Sequence, residues 1–260
     1  MRAYSFCYNE ADIIEQCIDH IMAQGLDCWV LDGHSTDGTW EILMDLTYRY
    51  QSRLNIERFP LQPTGHFDIL DILHRIETLY ARHKPGWAIL VDADEVFEAP
   101  GGMTIAGLLH SAEKRGYNAM QSRTVEFHPI DDAWRKGVSV VDHFQHFTYG
   151  KPHNVCCWNT TAPVDLSNDL NIRFEGLHAC EAPRLIQRHY PYRNQAQATT
   201  KVFRDRQPRL LPADVKKGWC DYVTRLQPGH NFIRSTEGLM KWDVMTSRDV
   251  IGRLAEAWQP

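Results

Sequence analysis

The sequence predicts an α/β protein built on a doubly wound, mainly parallel sheet, and three observations carry that expectation. Apolar strand-like runs alternate with stretches of helical apolar spacing, in a β-α-β-α-β-α-β order over roughly the first hundred residues; parallel neighbours need such helical crossovers. Trp87-Ala88-Ile89-Leu90-Val91 is an unbroken apolar run, the mark of a strand buried on both faces. The runs also stop at polar residues: Asn9-Glu10, Asp32 and Asp92-Ala93-Asp94-Glu95. Open α/β sheets bind their ligands at those carboxyl ends.

Taken in order, Arg2 to Tyr8 is a first strand with Tyr4, Phe6 and Tyr8 on one face. Ile13, Ile14, Cys17, Ile18, Ile21 and Met22 recur at helical spacing, and Gly25 ends that helix. Asp27 to Asp32 is the second strand, followed by the glycine-bearing loop Gly33 to Thr39 and a helix marked by Trp40, Leu43, Met44 and Leu46. Leu54 to Phe59 is the third strand, and Ile69, Leu70, Leu73, Ile76 and Leu79 mark the next helix. The Asp92 strand is fourth. Beyond Pro100-Gly101-Gly102 the pattern loosens into a mixed region. A helix (Ile105, Leu108, Leu109, Ala112) leads to a strand from Met120 to Phe127, with short strands expected at Asp142–Tyr149, Val155–Trp158 and Arg184–His189. Asn194 to Arg206 is expected to be helical, with weakly amphipathic helices from Asp214 onward. One domain over 1–260 follows, with a regular half (1–100) and a looser, mixed half (101–260).

Composition excludes some functions. A formal charge of -5 gives no electrostatic case for general nucleic-acid binding. The seven cysteines form no CxxC pair, the usage of a reducing compartment where Cys packs as a small hydrophobe. No basic stretch leads into an apolar run at the start, and no apolar segment approaches the roughly 20 residues that span a bilayer. A soluble cytoplasmic protein is the expectation.

Asp92-Ala93-Asp94-Glu95 is the stretch with the most chemistry. Two carboxylates one residue apart at a strand end can reach one divalent cation, directly or through water; Mg²⁺ and Mn²⁺ favour such oxygen ligands and complete their shells with water and phosphate. An acidic turn after a core strand is the ordinary alternative.

Three ordered elements resemble a known family. Tyr8-Asn9-Glu10-Ala11-Asp12-Ile13-Ile14-Glu15 resembles the opening of family 2 glycosyltransferases of the GT-A fold. Val30-Leu31-Asp32-Gly33-His34-Ser35-Thr36-Asp37-Gly38-Thr39 resembles their second-strand loop, and Asp92-Ala93-Asp94 sits where they carry an Asp-x-Asp metal motif. Arg188-His189-Tyr190-Pro191-Tyr192-Arg193 and Lys201-Val202-Phe203-Arg204-Asp205-Arg206 are similar to a block found in a bacterial subgroup. That subgroup's "DLxxxGGH" has as counterpart Asp165-Leu166-Ser167-Asn168-Asp169, without the glycine pair or the His.

The resemblance implies a GT-A-like sheet and an inverting, metal-dependent transferase. It would move a sugar from a nucleoside-diphosphate sugar to an acceptor hydroxyl on a glycan or lipid-linked glycan. Asn9, Glu10 and Asp32 would line the nucleoside pocket, with Asp32 accepting from a base N–H or a ribose hydroxyl. Asp94 would bind Mn²⁺ or Mg²⁺ directly, and Asp92 would contact ribose or metal-bound water. His189 would be the third ligand, with His178 as rival. Arg193, Lys201 and Arg204 would add charge around the phosphates, although a solvated helix face suits Arg204 better. Asp37 suits helix capping as well as binding. The acceptor's proton needs a carboxylate within about 3 Å. Asp132 ranks first, with Asp131, Glu181, Asp169 and Glu175 as further candidates, because Asp131-Asp132 precedes Trp134, an aromatic suited to a sugar face.

Two other readings compete. A sugar-phosphate nucleotidyltransferase shares the nucleotide-binding core and two-carboxylate metal chemistry. Its first strand is normally followed by a Gly-rich, Arg/Lys-bearing loop, whereas Asn9-Glu10-Ala11-Asp12 is acidic. A non-catalytic sugar-nucleotide-binding protein finds support only in the missing "GGH".

Overall fold

The computed structural model describes residues 1–59, 65–162, 164–166, 173–174, 178–217 and 221–242. Its α/β architecture rests on a mixed sheet. Four strands form the parallel part: β1 (Arg2–Cys7), β2 (Asp27–Asp32), β3 (Leu54–Arg58) and β4 (Trp87–Leu90). They lie in the order β3-β2-β1-β4, with Cys7 level with Asp32 and Asp32 level with Arg58. The crossovers are α1 (Ile14–Ala23), α2 (Thr39–Tyr50) and α3 (Ile69–Ala81). The period-two alternation of β1 sorts its side chains between two cores. Ala3 and Cys7 face the core that includes Ile14, Ile18 and Leu43, while Tyr4 faces Ile72, Ile76 and Leu79. Helices thus cover both faces, and each fully buried Ile or Leu contributes about 1.5–3 kcal/mol. Side-chain caps fix helix starts: Asp68 accepts from Asp71 N, and Thr104 accepts from Gly107 N ahead of α4 (Ile105–Lys114).

Beyond β4 the sheet becomes mixed. It continues through β7 (His146–Asn159), β6 (Ala119–Phe127) and β10 (Ala179–His189) to β5 (Glu95–Glu98). β7 runs antiparallel to both β4 and β6, β10 is parallel to β6, and β5 is antiparallel to β10. A two-stranded ribbon pairs β8 (Val164–Asp165) with β9 (Arg173–Phe174), and β11 (Met240–Lys241) pairs with β7.

Several elements depart from expectation. The two short strands expected at Asp142–Tyr149 and Val155–Trp158 are one strand, β7, whose register against β6 shifts three times. Such bulges break the alternation that reveals a strand in sequence. Val140–His143 is instead a helical turn, α5, started by Ser139, which accepts from Asp142 N. β5 was not expected, because Glu95-Val96-Phe97-Glu98 is too short to display a period. The helix expected at Asn194–Arg206 is α6 (Gln195–Thr199) followed by a π-helical segment, Thr200–Arg206. Of the C-terminal helices, only α7 (Pro212–Lys216) and α8 (Asp221–Thr224) fall among the described residues. Six cysteines are described, all free and buried, and burial pushes the Cys28 thiol up to about 12. No described helix is long and apolar enough to cross a membrane.

Candidate active site

The site forms where the sheet changes character. β1, β2 and β4 end on one edge, the Asp92–Asp94 turn leads directly into β5, and the π-helical segment crosses over them. Asp94 is almost completely buried, and its Oδ2 accepts from Lys201 Nζ at 2.7 Å. Lys201 Nζ also donates to Glu10 Oε1 at 2.5 Å, and Glu10 Oε2 accepts from Arg193 Nη2 at 2.7 Å. Arg193 in turn donates to both Asp12 oxygens, at 2.8 and 2.9 Å. The result is a chain of alternating charge, Asp94–Lys201–Glu10–Arg193–Asp12. It joins the turn after β4, the loop after β1 and the segment after β10. Four of these residues stand out separately in the sequence, but their contacts do not, because pairs more than a hundred residues apart leave no local pattern.

Electrostatics follow from this chain. Burial alone would raise Asp94, but Lys201, His189, Arg206 and Arg193 outweigh it and hold its carboxyl well below the usual range. His189 Nε2 lies 3.7 Å from Asp94 Oδ2. Asp92 behaves oppositely. Its side chain reaches solvent, yet desolvation by the atoms packed around it and then Asp94 push it up to about 6. Burial, and then Asp92, pushes Glu95 well above its ordinary value. Glu95 Oε2 accepts from Asp92 N at 3.0 Å, and its Oε1 accepts from Gln187 Nε2. Gln187 Oε1 accepts from Ser122 and Thr124, so a buried polar network fixes the turn from below. Arg193 is fully buried; burial opposes its charge, but Glu10 and Asp12 keep it protonated.

The expected nucleoside residues are gathered at neighbouring strand ends. Asn9 has positive φ (54°), donates from its backbone N to Ser35 Oγ, and accepts from Thr36 N at 2.8 Å. Its Nδ2 donates to Asp205 Oδ1 in the π-helical segment. Asp32 is fully buried, and its Oδ2 accepts from Ser35 N at 3.1 Å with Arg58 3.8 Å away. Gly33 lies so close to the Phe6 ring that a Cβ there would meet Cζ at 2.8 Å. Asp37 accepts from Thr39 N and from Ala11 N, holding the start of α2 against the loop after β1. Arg193 and Glu10 therefore serve the charge chain, while Arg204 is exposed.

The expected bases are dispersed. Asp132 is exposed and accepts from Gln195 N at 2.7 Å, at the start of α6. Lys201 is six residues further on, about 9 Å along a helix axis. Asp131 accepts from Ala133 N inside its own turn. Glu181 lies in β10, where the register against β6 shifts between Cys180 and Leu185; its side chain, like Asp169 and Glu175, lies outside the described residues. His178 precedes β10 and stands on the order of 30 Å along that strand from His189. It cannot share an ion with Asp94.

Glu126 is a residue of the site that no sequence motif marks. It pairs with His189 across β6 and β10, which aims both side chains to the same side. Burial raises its carboxyl, Arg234 draws it back, and Asp94 raises it further. His128 Nε2 is 2.8 Å from Thr148 Oγ1, and burial, Arg234 and His189 lower its ring to about 4. The available signal was Glu126 itself, a charged residue inside an otherwise strand-like run.

No three His, Cys, Asp or Glu side chains are gathered to hold a metal ion among the described residues. Asp94 and His189 are nevertheless close enough to share one, and a carboxylate–imidazole pair suits Mn²⁺ when phosphate oxygens complete the shell. Lys201 would have to give up Asp94 to admit it.

Strand-end carboxylates meeting a basic π-helical segment at one edge of the sheet define the class: an α/β protein with a buried charge cluster at its strand ends. Residues 6–60, from β1 through the end of β3, match the family model described as Glycosyl transferase family 2. No curated protein matches the chain. Among solved structures, S. aureus TarS shares 16% identity at a TM-score of 0.33, over 54% of this chain and 23% of that one. S. aureus TarS 1-349 in complex with UDP shares 16% at 0.31, over 53% and 37%. A UDP-glucose pyrophosphorylase complexed with UDP-glucose shares 9% at 0.30, over 51% and 63%. The chain thus spans less than two thirds of each of these.

Proposed function

We propose that the protein is a metal-dependent, inverting glycosyltransferase that moves a sugar from a nucleoside-diphosphate sugar to a hydroxyl acceptor in glycan or surface-polysaccharide synthesis. The observation that carries this reading is the Lys201 ammonium seated on Asp94, with the family match over the nucleotide-binding strands beside it. Lys201 and His189 hold Asp94 ionised, the state in which a carboxylate can take a divalent cation. When bound, a divalent cation on Asp94 and His189 supplies Lewis-acid stabilisation of the departing diphosphate.

The chain's own residues do the rest. Asn9 and the Ser35 loop bind and orient the nucleoside, while the fully buried Asp32, expected to touch it, instead holds that loop from below through Ser35 N. Lys201, released from Asp94, stays anchored by Glu10 and turns its charge to the diphosphate, with Arg206 beside it. Asp92 holds a ribose hydroxyl or a water. Glu126, half-buried beside His189, takes the acceptor's proton at its carboxylate, and burial favours it as a proton acceptor. Asp132, the first choice on sequence, serves the start of α6 instead. Proximity of two substrates in one cleft supplies much of the acceleration.

The test is incubation with a panel of sugar nucleotides and Mn²⁺, reading free nucleoside diphosphate and the anomeric configuration of the product. Released diphosphate with an inverted product is expected. Pyrophosphate formed from a nucleoside triphosphate would identify a nucleotidyltransferase, and binding without release a non-catalytic protein.

A further inference from the structure

We propose, on the metal-dependent reading above, that Lys201 is a built-in rival of the metal ion: it bars a divalent cation from Asp94 until a nucleoside diphosphate arrives, so that the two bind together. One oxygen decides this. Lys201 Nζ donates to Asp94 Oδ2 at 2.7 Å, and His189 Nε2 is 3.7 Å from the same Oδ2. The oxygen that would share an ion with His189 is therefore the one already held by the ammonium. Solvent gives no route around that contact, since Asp94 is only 2% and Lys201 only 5% exposed. A divalent ion on Oδ2 would stand beside a like charge, and in a buried place such repulsion is far stronger than in water.

Glu10 lets the lysine leave without being stranded. Lys201 Nζ also donates to Glu10 Oε1 at 2.5 Å, and Arg193 Nη2 holds the other oxygen of Glu10 at 2.7 Å. Glu10 thus keeps its place when Lys201 turns, and Lys201 keeps one carboxylate. Asn9 Nδ2 donates to Asp205 Oδ1 and pins the same π-helical segment to the loop after β1, which leaves the lysine side chain as the moving part. What Lys201 loses is the Asp94 half of its pairing, and a diphosphate replaces that half with phosphate oxygens. The same oxygens neutralise an incoming cation and complete its shell. Cation and diphosphate each make room for the other, and linkage requires that coupling to be equal in both directions.

The experiment measures Mn²⁺ binding to the full chain, without nucleotide, by the paramagnetic resonance signal of the free ion. Lys201→Met and Lys201→Gln, two neutral side chains of different polarity, are each expected to bind Mn²⁺ at least about tenfold more tightly than the parent. Lys201→Arg keeps the charge and is expected to stay at the parent's affinity. So is Arg204→Gln, which removes an exposed charge from the same segment and separates a displaced contact from net charge. Thermal melts with a panel of nucleoside diphosphates read the coupling. In the parent, Mn²⁺ and a nucleoside diphosphate together are expected to raise the melting temperature by more than the sum of their separate shifts, and in Lys201→Met that excess shrinks. Equal Mn²⁺ affinity in the parent and both neutral variants overturns the rivalry and leaves the metal-dependent reading standing, as does an equal gain in Arg204→Gln. A parent that Mn²⁺ alone stabilises as far as Mn²⁺ with a nucleoside diphosphate overturns it without any substitution. No Mn²⁺ binding by the parent or any variant, with every nucleoside diphosphate tried, overturns the metal-dependent reading itself and the rivalry with it.

Discussion

At the scale of single residues, each side chain's role is set by its partner. Asp94→Asn keeps size and hydrogen bonding but takes away the charge that Lys201 and a metal ion need. Losing such electrostatics costs on the order of 3–4 kcal/mol, so transfer is expected to fall at least about a hundredfold. Steady-state kinetics with a circular dichroism control check this, and turnover near that of the parent at saturating Mn²⁺ would remove Asp94 from the site. Glu126→Gln is expected to collapse kcat by about 10²–10⁴ with KM little changed, while Asp132→Asn keeps most activity. The reverse ranking would restore Asp132. Asp92 gives a pH signature. Its folded pKa is raised to about 6, so the stability it contributes is fully present below the unfolded value of about 3.9 and lost as pH rises through 6. In EDTA, Asp92→Asn is therefore expected to melt higher than the parent at pH 8 and level with it near pH 4. Solvent at Asp92 screens the repulsion and keeps the gain to about 1–3 °C. A gain that persists at pH 4 would point to packing instead of charge. Asp92 and Asp94 were visible in sequence as a pair. Their opposite electrostatic fates were not, because only the fold brings Lys201 to one of them.

Among the elements, the parallel half was legible and the mixed half was not. β1 to β4 and their helices declare themselves because each helix pairs one apolar stripe with one strand face. β7 hides behind three register shifts, and β5 is too short for a pattern. The π-helical segment is the least legible element, since an extra residue in a helical turn leaves the composition unchanged. Its geometry matters because π-bulges realign side chains, often at functional sites. Thr200–Arg206 carries Lys201 to Asp94, Asp205 to Asn9 and Arg206 towards the Asp92–Asp94 turn. Deleting the exposed Arg204 would restore an α-helical turn and rotate Asp205 and Arg206 by about 100° relative to Lys201. The expected outcome is a stable protein, destabilised by about 1–3 kcal/mol for the lost charged hydrogen bond, whose donor KM rises steeply. Unchanged KM would mean that the segment merely supports the fold.

The whole molecule is held around the site by one buried guanidinium. Arg193 lies after β10, and its partners Glu10 and Asp12 lie after β1, so a pair separated by more than 180 residues ties the sheet's parallel half to its mixed half. Arg193 also donates to Tyr190 O, which anchors the turn that follows His189. The sequence showed both motifs but not that they were halves of one ion cluster. Exchanging the whole cluster for apolar residues need not destabilise a protein, whereas removing one member leaves charges buried and unpaired. Arg193→Met is therefore expected to cost about 3–5 kcal/mol. At roughly 2–4 °C per kcal/mol for a chain of this size, the melting temperature falls by about 6–20 °C. Adding Asp12→Asn to Arg193→Met removes one stranded charge, so the double variant is expected to recover part of the loss. Glu10 keeps Lys201 as a partner and needs no such relief. Thermal melts of the parent, the two single variants and the double variant form a cycle that isolates the coupling. Strictly additive effects would show that Arg193 acts by packing alone and that the cluster does not join the two halves.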